Sequence, residues 1–412
     1  MKRVTETILP LLGAAVILSA AFRRGAEAAG IHITAADLLL CISAILIAGA
    51  YLFSDRKKEL RLPAPAVLLF LIAGVVSTLF SHNPKRALLE VIQYTGLLGV
   101  AWITLDYSLR KKWKWVVYAC TVLFVFITAA ALIQVFGDSG RSAAETGGIL
   151  QNRMVYGAYL VLLFPPLLGY FLQRSIFFKI AAAATLLTTL LTVTSGWILL
   201  CLLIGAVSTP MILRDRAGTA MVSAAAVLFF VLLPVLPGDR PAVFKASVYP
   251  LQKNGAPAQQ YLEWIAGARG TLNNLYTGTG PGTYQEHIGR YYGTLPKNNI
   301  NALEPDTNNT YAVLGLSMGL PGLLCFLALL FGGFRHSAAA ALCPAASAPA
   351  PLRGWFAGSA GSLFASLFLC LFTVPLVRGT GILLVLLFAA ADFSTHFFPK
   401  ETLDHEEKQK PA

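Results

Sequence analysis

Twelve continuous apolar runs, most of them close to 20 residues long and nearly free of charge, constrain this chain more than any other feature. A hydrocarbon layer about 30 Å thick is crossed by about 20 helical residues. That layer offers no water, so backbone groups must pair within each segment or around a closed barrel. The runs are unbroken rather than alternating in polarity, which selects helices over barrel strands. With 56% of the 412 residues hydrophobic and 13% charged, there is too much apolar surface for one or two soluble cores. The fold class read from the sequence is an all-α polytopic membrane protein with about 12 transmembrane helices.

The expected spans are 7–22, 35–54, 64–81, 87–106, 115–136, 154–172, 177–194, 196–213, 219–236, 308–331, 354–374 and 380–398. Only Ser195-Gly196 separates the pair at 177–213. Lys2-Arg3 before an apolar run resembles a signal peptide, but Arg23-Arg24 directly after it disfavours cleavage, so the run is kept as a span. Residues 1–236 thus hold nine spans with short loops, 237–307 form one large loop, 308–398 hold three spans, and 399–412 form a charged, solvated tail. A second polar loop, 137–153, carries Arg141 and Arg153.

Orientation follows from Lys and Arg. With the N-terminus inside, 19 of the 32 basic residues fall on inner connections and 13 on outer ones; setting the long loop aside leaves 19 against 7. Both termini are therefore expected in the cytoplasm, with the long loop on the far side. The net charge of +12 reflects these clusters, and no basic helix interleaved with aromatics points to nucleic acid. Cys41, Cys120, Cys201, Cys325 and Cys370 lie in apolar runs and Cys343 in a short loop, with no CxxC or Cys/His cluster to indicate disulfides or zinc. The spans hold few ionisable residues, among which Glu90 and Asp392 stand out, and ion-coupled transport ordinarily needs more.

The chemistry concentrates at the end of the long loop and the helix after it. The order there is Glu263-Trp264, GTGPGTYQ (278–285), IGRYYGTLPK (288–297) and EPDTNNTYAVLGLSMGLPGLLCFL (304–327). An earlier segment reads GGILQNRMVYGAYLVLLFPPLL (147–168). This succession of Trp, Gly-rich turn, Asn-Tyr helix start and Gly-Leu-Pro-Gly break resembles the bacterial O-antigen ligase and O-antigen polymerase family. The resemblance covers nearly the whole chain. It implies a GT-C-like fold in the bacterial inner membrane, with its active face in the periplasm. It further implies a metal-independent, cofactor-free, inverting glycosyltransferase. The donor would be an undecaprenyl-diphosphate-linked glycan, and the acceptor lipid A core or another glycan, glycolipid or protein.

Such an enzyme needs cations for the diphosphate, a base for the acceptor hydroxyl and an apolar slot for the polyprenyl tail. Arginine suits the first task because its planar fork grips phosphate oxygens and stays charged. Arg141, Arg153 and Arg269 are the expected donor-binding cations, with Arg290 and Arg378 also on outer segments. The chain departs from the family pattern at Asn308, where the family carries His, and at Gln260, where it carries Arg. Glu304 or Asp306 is then the expected base, the alternative being helix capping or surface charge; His287 is a weaker candidate, because a lone loop histidine is usually solvated. Trp264, Tyr284, Asn308, Asn309 and Tyr311 are the expected substrate contacts. GTGPG lacks the preceding strand and following Lys of a phosphate loop, so it reads as a tight turn. Tyr291-Tyr292 and Trp264 read as an interfacial belt, with stacking on sugar rings as the alternative. Pro165-Pro166 and Pro321 are expected to kink helices. Three other functions stay open: a polymerase of the same family, a non-catalytic glycolipid-binding or assembly protein, and a transporter or flippase.

Overall fold

The computed structural model describes residues 2–22, 26–28, 31–53, 63–137, 150, 152–193, 195–233, 259–293, 309–343, 348–376 and 379–397. Its helices are α1 (Lys2–Ser19), α2 (Ala35–Phe53), α3 (Pro65–Leu79), α4 (Pro84–Tyr94), α5 (Trp102–Gly137), α6 (Arg153–Leu172), α7 (Ile176–Thr192), α8 (Gly196–Ile212), α9 (Arg216–Leu232), α10 (Gln259–Asn273), α11 (Tyr284–Ile288), α12 (Thr310–Ala341), α13 (Ala350–Leu369) and α14 (Thr380–Ser394). A π-helical segment, Thr95–Ala101, joins α4 to α5, and a short antiparallel hairpin pairs Ala26–Ala28 with Ile31–Ile33. Every expected span coincides with helix over most of its length. The basic connection expected at 107–114 is helical too, interrupted only at Lys112, whose φ of −146° leaves the helical region.

Four helical runs are long and apolar enough to cross a membrane: Pro84–Val135, Met154–Leu172, Thr310–Ala341 and Thr380–Phe397. Six shorter apolar helices accompany them. The outer surface of the bundle is greasy, with Phe177, Leu79, Ile133 and Ile45 each more than 70% exposed. In water such a surface drives association; in lipid it is the ordinary solvent-facing side. The chain is a helical membrane protein.

Local sequence sets the helix starts. Asn83 accepts from Arg86 N with Pro84 in the first turn, Asn152 accepts from Met154 N and Val155 N, Asp215 from Gly218 N, and Asn309 from Ala312 N. Each side chain satisfies a backbone donor that the helix itself leaves unpaired. Asp215 also meets Lys179 Nζ at 2.5 Å, tying the start of α9 to α7.

The centre is α6, which is apolar and buried on all sides. Pro165 and Pro166 lie inside it, and each lacks the N–H that would pair with the carbonyl four residues earlier. Those carbonyls belong to Val161 and Leu162. Ser362 on α13 donates from Oγ to both, at 2.9 and 3.3 Å. The approach this requires is made by glycines. A Cβ on Gly358 would sit 2.0 Å from Pro165 O, and one on Gly354 2.0 Å from Gly169 O. Small residues at this spacing let two helices touch backbone to backbone, which is how helices associate where lipid removes the hydrophobic drive.

Candidate functional site

The long loop is not merely a connector. Its described part, 259–293, folds as α10, a Gly-rich turn and α11, and docks beside the start of α12. Gly267 lies against Ala312, Thr271 against Gly315, and Leu275 against Gly319. Residue numbers advance together in both segments, so α10 runs parallel to the first turns of α12.

The docking joint is built from the two glycine motifs. Gly319 has φ +67° and breaks α12, while Pro321 lacks the N–H that would pair with Ser317 O. The freed carbonyls do not stay unpaired. Leu316 O accepts from Thr279 N at 2.9 Å, Ser317 O accepts from Gly280 N at 2.9 Å, and Leu320 N donates to Leu275 O at 2.7 Å. Ser77 on α3 adds a bond from Oγ to Ser317 O at 2.7 Å. Gly278, Gly280 and Gly282 all have positive φ, as expected of a tight turn. Irregular backbone is tolerated in a membrane protein only where the protein itself satisfies it. GTGPG and GLPG are therefore two halves of one joint.

The turn also rests on the α3–α4 connection. Gly280 faces Ser81 and Ala87, and Gly282 faces Glu90. Arg86 Nη1 meets Glu286 Oε1 at 2.9 Å, and Asn83 Nδ2 donates to the same oxygen at 3.2 Å. Half-exposed pairs of this kind contribute about 0–1 kcal/mol, so they set register more than stability. His287 is 3% exposed rather than a solvated loop histidine, and its ring stands 5.5 Å from that of His82. His82, Asn83, Lys85 and Arg86 escaped the sequence reading because nothing in a short connection announces which distant loop it meets.

The expected site residues divide. Arg141, Glu304, Asp306 and Asn308 lie outside the described residues, as do Arg378 and the side chains of Arg153 and Gln260; Arg153 begins α6. Arg269 is exposed on α10 and its Nη1 reaches Tyr292 O at 3.4 Å. Arg290 is exposed nearby. Tyr284 is buried in a small core with Leu262, Ala266, Ile288 and Tyr292. Tyr292 is fully buried, so it belongs to no interfacial belt, and Tyr291 accepts from Asn274 Nδ2 at 2.6 Å. Asn309 caps α12, and Tyr311 donates to Leu367 O at 2.7 Å, fastening α12 to α13. Trp264 packs on Phe372 at 5.5 Å, and Phe372 stacks on Trp197 at 4.2 Å. The Trp264 indole N–H has no acceptor among the described residues.

Burial, then the charges of Arg290 and His82, holds the His287 imidazole below its ordinary value of 6.5, with Glu286 opposing. The neutral form is thus favoured when folded. The resulting stability is complete above the ordinary value and is lost as pH falls through the folded one. Amide exchange in 284–292, corrected for its intrinsic pH dependence, is expected to accelerate as pH drops from about 7.5 to about 5.5, across the range where histidine titrates. The acceleration should vanish in His287→Gln; an unchanged profile in that variant would assign the sensitivity elsewhere.

Fold and site together define a helical membrane protein with a folded loop docked on one face of its helix bundle. Compared with models of known protein families and with curated protein sequences, the chain matches none.

Proposed function

We propose that this protein transfers a glycan from an undecaprenyl-diphosphate carrier to lipid A core or another glycan at the periplasmic face of the bacterial inner membrane. The fold is then a GT-C-like bundle of about 12 spans. The observation that carries the reading is the docked loop: α10, α11 and the α3–α4 connection meet on one face, and Arg269, Arg290 and Arg86 stand on these elements, Arg86 paired with Glu286. Cations at the edge of a lipid-facing bundle suit a pyrophosphate whose tail stays in hydrocarbon.

The mechanism is a single displacement. The acceptor hydroxyl oxygen bonds to the anomeric carbon while the bond from that carbon to the diphosphate oxygen breaks with its electron pair. Glu304 or Asp306 takes the hydroxyl proton, and Arg141, Arg153 and Arg269 hold the departing charge. In proteoliposomes supplied with the lipid-linked donor and lipid A core, the wild-type chain should form the new glycosidic bond. Replacing the true base with Ala should slow transfer about 10²- to 10⁴-fold, and Arg269→Ala about 10²-fold. Full activity in Glu304→Ala, Asp306→Ala and Arg269→Ala would overturn these roles, and no transfer by the wild type would overturn the activity.

A second reading is a glycolipid-binding protein without turnover. It is favoured by the structural duties of Asn309, Tyr284 and Tyr311, which serve as cap, core and tether. It foresees donor binding with no product in the same assay.

A further inference from the structure

At the end of the bundle away from the docked loop, a cavity of about 190 Å³ lies between α3, α5, α12 and α14. Trp102 and Phe388 form one wall, stacked with their centroids 6.0 Å apart, and Ala328 and Gly332 form another. His336 and Asp392 stand at its polar side. Ala328 and His336 are exposed, so the cavity reaches the surface of the bundle. Trp102 is only 3% exposed, yet its indole N–H has no acceptor among the described residues. A buried donor of this kind marks an acceptor still to be supplied.

From this we infer that the cavity is a binding site for one glycerophospholipid of the leaflet facing the basic loops. The apolar walls take the upper acyl and glycerol segment, and an ester carbonyl accepts from the Trp102 N–H. Arg335 is exposed and follows Ala328 by seven residues on α12, which puts it on the same helix face as that lining residue, two turns on, where it would take the phosphate. The Asp392 carboxylate would repel that phosphate if alone, but Arg110 lies 3.7 Å from it and offsets the charge. Arg110 also pairs with Asp106 at 2.5 Å, so one cation serves two carboxylates, and Arg335 brings the group to neutrality; this suits a zwitterionic headgroup with its phosphate toward Arg335 and its ammonium toward Asp392. Water alone fits less well, because a buried water needs two to four polar partners and most of this lining is apolar.

The test does not depend on the glycan-transfer reading. The full chain is purified in detergent from bilayers of phosphatidylethanolamine and phosphatidylglycerol, washed free of bulk lipid and weighed by native mass spectrometry. One phospholipid per chain is expected to remain. Gly332→Phe should cut that retention at least tenfold, because a Cβ there meets nothing within 4 Å and the ring can occupy the cavity without disturbing the fold. Trp102→Phe removes the N–H with the five-membered ring that carries it, keeps an aromatic wall, and should cut retention about threefold. Leu324→Phe, exposed on the same helix, should leave retention unchanged and serves as the control. Loss of lipid from all variants including the control, equal retention in Gly332→Phe, or no retained lipid in the wild type would each overturn the assignment.

Discussion

Gly358→Leu is expected to destabilise the bundle by about 3 kcal/mol or more, because it forces apart the two most closely packed helices of the molecule. An added Cβ would lie 2.0 Å from Pro165 O and 2.5 Å from Pro166 Cα, and both are backbone atoms that no rotamer change can move aside. Helices α6 and α13 must then separate. Separation pulls Ser362 Oγ from Val161 O and Leu162 O, the two carbonyls orphaned by Pro165 and Pro166. Ser362→Ala removes those bonds without forcing the helices apart and should cost about 1–3 kcal/mol, the range for leaving a buried acceptor unsatisfied. Gly96→Ala is the control, since a Cβ there meets nothing within 4 Å; its effect should stay under about 1 kcal/mol. Equilibrium unfolding in mixed detergent micelles, followed by circular dichroism, ranks the three. If Gly358→Leu unfolds no earlier than Gly96→Ala, close contact between α6 and α13 is not what holds the centre.

The second large effect concerns the joint. Gly278→Val should release the docked loop while the helix bundle stays folded. The residue has φ +68°, which a β-branched side chain resists, and a Cβ would sit 2.3 Å from Ser317 O. Losing the dock leaves Leu316 O and Ser317 O without the N–H groups of Thr279 and Gly280. Protease added on the loop side should cleave within 259–293 at least tenfold faster, while the unfolding midpoint of the bundle barely moves. The proposed transfer activity should fall about 100-fold or more in the same variant, because Arg269 and Arg290 both stand on the segment this joint holds. Undiminished protection of the loop would show that the glycine turn is not its anchor.

Much of this architecture is legible in the sequence, and particular residues show why. Asn83, Asn152, Asp215 and Asn309 stand one residue before helices, where a short polar side chain can pair with a free N–H, so helix starts can be read locally. The glycines of GTGPG announce positive φ, and all three adopt it. The site is less legible. His287 reads as a solvated loop residue in sequence, yet tertiary packing buries it beside His82 from a connection about two hundred positions away. Tyr292 reads as interfacial and is instead the centre of a small apolar core. Burial of a loop residue depends on what folds over it, and periodicity carries no such information.

By itself, then, the sequence determined that the chain must be a helical membrane protein, where its long apolar helices lie and where proline and glycine interrupt backbone pairing, but not the helices folded within the long loop. Hydrocarbon leaves helix as the open choice for long apolar runs, and proline and glycine act on their own backbone. Only tertiary structure decided which donors answer the carbonyls so freed. Ser362 reaches the carbonyls that Pro165 and Pro166 abandon, and Thr279 and Gly280 reach those freed around Gly319 and Pro321. A carbonyl released from a helix in an apolar medium must find a donor, but that requirement names no donor; proximity in three dimensions does.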